Sequence, residues 1–137
     1  MMGEKKDITL KSLIPNVMVE NVNQTVDYYR DNLGFEFVQS VPENGQFDWA
    51  MMQHGDVVLM FQSQESLGKD VPALKGHRPG GSLTFYIRVN DIGGLYEELK
   101  KKEVEIVVEL NKTFYGATEL TIRDLNGYYL MFSEMDD

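Results

Sequence analysis

Residues 13–21 set apolar Val17 and Val19 against Asn16, Met18 and Glu20, the period-two pattern of a strand whose two faces meet different surroundings. Asn21 or Asn23 is placed to cap a helix running to about Asn32. Val22, Val26, Tyr29 and Leu33 recur there at helical spacing, and Gly34 suits the C-terminal stop. Three strand-like runs follow at 35–41, 47–53 and 57–62. Pro42-Glu43-Asn44-Gly45 and His54-Gly55-Asp56 separate them and have turn composition. The order is βαβββ.

Residues 63–81 are polar, with Pro72, Pro79 and the glycines 68, 76, 80 and 81, and they read as a connector with room for one short helical turn. The second half then repeats the first: a strand at 82–90, a helix at 91–102 with Ile92, Leu95, Tyr96 and Leu99 on one side, and strands at 104–110, 117–123 and 128–133. Asn126-Gly127 marks a hairpin between the last two. At an offset of 70, Val19 meets Val89, Asn21 meets Asp91 and Val22 meets Ile92, each in the same role. The pattern predicts an α+β fold over residues 1–137 as one domain, with modules at about 10–63 and 82–135 and a connector at 64–81. A single βαβββ unit covers one face of its curved mixed sheet and leaves the other bare, so the two units should pair around a cleft.

The length of 137 residues suits one domain with its own core. There is no cysteine, which excludes disulfides, thiolate metal sites and a cysteine nucleophile. The start, MMGEKKDITLKS, has no apolar secretory core, and no stretch approaches the run of about 18 apolar residues that spans a bilayer. A cytoplasmic protein is expected. Thirteen Lys and Arg against 22 Asp and Glu give a net charge of -9, which opposes binding to nucleic acid or an anionic membrane and favours cationic or neutral partners.

Ile14 to Phe35, IPNVMVENVNQTVDYYRDNLGF, and Thr118 to Glu134, TELTIRDLNGYYLMFSE, together resemble the opening and closing signatures of the vicinal oxygen chelate superfamily, which includes glyoxalases and bleomycin-resistance proteins. The likeness covers nearly the whole chain. It implies four cleft-facing metal ligands in the metal-dependent members, typically two His and two Glu. The matching positions here are Ile14, Met60, Thr84 and Met131. Ile has no donor, Thr is weak, and thioethers prefer soft metals, so no metal and no cofactor is expected. His54 lies in a turn and His77 in the connector, both read as exposed loop histidines. No G-x-S-x-G elbow is present, and Gly80-Gly81 opens a strand rather than a phosphate-binding helix, so no catalytic residue is assigned.

Alternation extends the inward face from those positions: Asn16, Met18 and Glu20 with Ile14; Val58 and Gln62 with Met60; Tyr86 and Arg88 with Thr84; Tyr129 and Ser133 with Met131. The opposite set, Val17, Val19, Leu59, Phe61, Phe85, Ile87, Leu130 and Phe132, is uniformly apolar and should pack under the helices. The third strand adds Phe47, Trp49 and Met51, or else Asp48, Ala50 and Met52; the first set is preferred. Trp49 serves either packing or ligand stacking. Phe114 and Tyr115 sit on a turn beside Gly116 and suit a rim. Met18, Met51, Met60 and Met131 would form an adaptable apolar floor, or fill a collapsed cleft.

The replaced metal positions and the aromatic cleft resemble the bleomycin-resistance branch. That implies a metal-free module sequestering a cationic or aromatic, antibiotic-type small molecule, with Glu20, Asp48 or Glu119 meeting the cation, and a homodimer. Two alternatives stand beside it. One is a lyase, isomerase or dioxygenase using His54, His77, Glu20, Glu119 or Glu134 as metal ligands. The other is a protein-interaction module whose cleft is filled by its own side chains.

Overall fold

The computed structural model describes residues 7–137. The first module holds β1 (Asn16–Val19), α1 (Val22–Leu33), β2 (Glu36–Val41), β3 (Trp49–His54) and β4 (Val57–Ser63). The second holds β5 (Thr84–Arg88), α3 (Ile92–Lys100), β6 (Glu105–Lys112), β7 (Ala117–Arg123) and β8 (Tyr129–Met135). Two open four-stranded mixed sheets result, ordered β1-β4-β3-β2 and β5-β8-β7-β6. In each, the last strand of the module returns to lie parallel to the first, and the other pairs are antiparallel.

Local chemistry sets the helix ends. Asn21 caps α1 by accepting from the Gln24 N–H, and Gly34 takes the left-handed conformation that closes it. Asp91 caps α3 through the Gly94 N–H. Under the helices lies one core in which Val19, Ala50, Met52, Leu59 and Phe61 of the first sheet meet Val22, Val26, Tyr29 and Leu33. Leu120, Ile122, Leu130 and Phe132 of the second sheet share it with Ile92 and Leu99.

Three expectations are corrected. The first strand is shorter than 13–21: the ladder begins where Met60 N–H donates to the Pro15 carbonyl, and Glu20 N–H turns away to the Asn126 side chain. The short helical turn allowed for in the connector is longer than one turn: it is a seven-residue helix, α2 (Gln64–Asp70), followed by a 3-10 turn at Pro72–Leu74. Ser63 caps α2 by accepting from the Ser66 N–H, and Leu67 is buried beneath it. Phe47 lies on the helix side, stacked on Phe37 and packed against the core, because its N–H is held by the Asn23 side chain before β3 begins.

The β7–β8 turn docks against the first module. Tyr29 donates its hydroxyl to the buried Asp124, Asn126 donates to the Thr25 hydroxyl, and Tyr128 donates its hydroxyl to the Met18 carbonyl on the outer edge of β1. Two of the four edge strands, β2 and β6, break their ladders with register shifts, between Phe37 and Gln39 and around Val108.

Candidate functional site

Strand pairing fixes which side chains share the faces away from the helices. Asn16 pairs with Met60 and Met18 with Gln62; Met51 pairs with Met60 and Trp49 with Gln62, so these six occupy the open face of the first sheet. On the second sheet Thr84 pairs with Tyr129, Tyr86 with Met131, Arg88 with Ser133, and Glu119 with Ser133.

The two open faces differ. On the first, α2 folds over part of the surface: Gln62 accepts from the Asn16 amide and donates to Ser66 and Asp70 of α2, at 2.8, 2.9 and 2.8 Å. Met18 is therefore buried, 6 % exposed, and does not line an open floor. Trp49, Met51 and Met60 are half-buried beyond this cover, and Glu20 is exposed with its backbone tied to Asn126.

On the second face the central feature is Glu119, expected at a mouth and found 6 % exposed. Its Oε1 accepts the Tyr115 hydroxyl at 2.7 Å, and its Oε2 accepts the Tyr86 and Ser133 hydroxyls, each at 2.9 Å. Burial pushes this carboxyl up, but the three hydroxyl donors outweigh it and hold the group below the usual glutamate range. The same bond raises the Tyr115 hydroxyl. Around this clamped anion, Tyr86 and Tyr115 are about half exposed, Met131 and Tyr129 half-buried, and Phe114 stands fully in solvent, edge-on to Tyr115 with ring centres 5.1 Å apart. Arg88 closes the strand end and forms no ion pair among the described residues.

The sequence does not reveal this cluster as a unit. Alternation puts Tyr86 and Ser133 on one face and Tyr115 on the rim, but Glu119 joins them only once β7 is paired to β8. The remaining acidic and imidazole candidates are dispersed. Glu134 accepts from the first N–H of α3, His54 binds the Leu33 carbonyl through Nδ1 at 2.9 Å, and His77 is exposed in the connector. Among the described residues no three His, Cys, Asp or Glu gather as a metal site. The four positions matching the family's ligands carry Ile14, Met60, Thr84 and Met131, a donor set that does not fit a hard divalent ion. None of the best-formed cavities among the described residues is lined jointly by the two open faces.

Residues 12–132 match the sequence profile of the Glyoxalase/Bleomycin resistance protein/Dioxygenase superfamily, and the chain belongs to that superfamily. Among solved structures, TioX from Micromonospora sp. ML1 superposes with a TM-score of 0.73 at 17 % identity, covering 91 % of this chain and 98 % of that one. A superfamily member from Sphaerobacter thermophilus gives 0.74 at 16 % identity, covering 92 % and 98 %. A family enzyme from Burkholderia phytofirmans PsJN gives 0.73 at 12 % identity, covering 89 % and 96 %. At such identities the likeness establishes the fold. No curated relative matches the chain by sequence.

Proposed function

We propose that this protein is a metal-free binding module that sequesters a cationic, aromatic small molecule of antibiotic type on its open faces. The observation that carries the reading is the Glu119 cluster: an ionised carboxylate roofed by Tyr86 and Tyr115, beside a fully exposed Phe114, on the face where the metal ligands of the family would stand. Phenol rings that donate to a carboxylate present an electron-rich surface, and a ligand cation over such a ring gains about 0.5–2 kcal/mol. Trp49, Met51, Met60 and Met131 supply apolar surface for a flat arm. The net charge of -9 favours the same class of ligand.

A cytoplasmic homodimer is part of this reading. Ile8, Leu10 and Leu13 are almost fully exposed, which supports a surface covered by a second copy. No helix among the described residues is long and apolar enough to cross a membrane.

The test pairs elemental analysis of tag-free protein with titration of Trp49 fluorescence by bleomycin. Saturable quenching with less than about a tenth of an ion per chain is the expected result. One Zn²⁺, Ni²⁺ or Fe²⁺ per chain, or no quenching at all, overturns it.

A further inference from the structure

The two modules meet through two joints related by the internal repeat, and only one of them is filled. Asn16 pairs with Met60 as Tyr86 pairs with Met131, so Tyr128, just before β8, corresponds to Val57 at the head of β4. Trp49 pairs with Gln62 as Glu119 pairs with Ser133, so Asp124 corresponds to His54. The β7–β8 turn has Leu125, Asn126 and Gly127 between those points, whereas the β3–β4 turn has only Gly55 and Asp56. In the filled joint Tyr128 donates to the Met18 carbonyl and Asn126 accepts from the Glu20 N–H.

In the second joint a valine replaces the tyrosine and the turn is one residue shorter. A cavity of about 360 Å³ remains, lined by Leu33, Phe35, Val57, Ile87, Leu95 and Phe132, with His54, Asp56, Arg88 and Asn90 at its margin. This size lies within the range of small-molecule sites. One wall is fixed: the His54 ring donates through Nδ1 to the Leu33 carbonyl and stands edge-on to Phe35 at 5.6 Å. Another wall is polar. Val89 N–H donates to the Ser133 carbonyl across the β5–β8 ladder, so by alternation the Arg88 carbonyl and the Asn90 N–H point away from β8, as those of Met18 and Glu20 point away from β4. Among the described residues no side chain satisfies either group.

We propose that this cavity binds a small phenol. Its ring takes the place that Tyr128 fills in the other joint, and its hydroxyl donates to the Arg88 carbonyl as Tyr128 donates to that of Met18. The site lies on the helix side of the sheets, apart from the Glu119 face, and does not depend on the reading given to that face.

The test is p-cresol, the tyrosine side chain as a free molecule, titrated into the ¹⁵N-labelled full chain and followed by amide shifts. Saturable shifts centred on Gly55, Val57 and Asn90 are expected, with toluene binding about fivefold more weakly for want of the hydroxyl. Val57→Tyr, which supplies the ring internally, should abolish binding. No saturable shift, shifts centred on Trp49 and Met131, toluene binding as well as p-cresol, or undiminished binding to a folded Val57→Tyr each overturn the proposal. Should that variant not fold, the shift map and the toluene comparison on the parent protein decide the matter.

Discussion

The hydroxyl of Tyr29, midway along α1, donates to the carboxylate of Asp124 in the β7–β8 turn, a buried bond joining residues 95 positions apart and tying one module to the other. Its neighbour Tyr28 also lies against the core, yet its buried hydroxyl has no partner among the described residues. Two adjacent tyrosines therefore make opposite predictions. Tyr29→Phe should destabilise the protein by about 1.5–3 kcal/mol, the worth of a hydrogen bond to a charged group, while Tyr28→Phe should be neutral or slightly stabilising. Urea unfolding of the two variants at pH 7 measures both.

Asp124 gives a pH prediction. Burial raises its carboxyl, and the donors it receives from Tyr29 and from the Asn126 and Tyr128 N–H groups only partly offset this. An acid whose folded value lies above its unfolded one, about 3.9, binds more protons when folded, so this group's contribution to stability falls as pH rises through that window. Asp124→Asn retains an oxygen for the two backbone donors and removes the titration. Its stability should lie within about 1.5 kcal/mol of the parent at pH 7. The difference in unfolding free energy should move in favour of the variant between pH 4 and pH 7; a difference constant with pH contradicts the assignment.

Glu119 has the opposite sign. Its carboxyl is held below its ordinary value, so its contribution is fully present above about pH 4.3 and is lost as pH falls through the folded value. Glu119→Gln should cost about 1–3 kcal/mol at neutral pH, because Tyr86, Tyr115 and Ser133 lose a charged acceptor, and the cost should shrink toward pH 3. It should also weaken binding of a cationic ligand on that face. Calorimetric unfolding at several pH values, with a bleomycin titration at pH 7, separates the two effects.

The α2 helix depends on its cap. Ser63→Ala removes the side-chain acceptor for the Ser66 N–H and should destabilise by about 1 kcal/mol. The loss should be local: amide exchange should speed up across 64–70, and Met18, now covered, should become more readily oxidised by dilute peroxide, detectable by peptide mass analysis.

Much of the fold is legible in the sequence because its signals are local. The alternation around Val17 and Val19, the helical spacing of Val22, Val26 and Tyr29, and the capping residues Asn21, Gly34 and Asp91 each act over a few positions. The extent of the α2 helix is not legible, because Gly68 and the prolines that follow, Pro72 and Pro79, read as a connector with one short turn, while its stability comes from burying Leu67 and from Gln62, which belongs to β4. The Glu119 cluster draws on positions 86, 115, 119 and 133, and nothing in the spacing of those residues announces it. It exists because β8 lies between β5 and β7 in the sheet. The cavity beside Val57 rests on one residue's difference between two hairpin turns, which becomes visible only when the two joints are compared in space.

The shifted registers of β2 and β6 bear on how the protein behaves when concentrated. Each is one of the two edge strands of its sheet, and both carry apolar side chains in solvent, among them Phe37, Val38, Val107 and Val108. A straight edge of that composition would template another chain's backbone. The bulges throw alternate donors and acceptors out of step, so a strand arriving from a neighbouring molecule finds runs of no more than three regularly paired residues. The kinks that look like irregularities in the ladder thus make these two edges poor templates for a neighbouring chain.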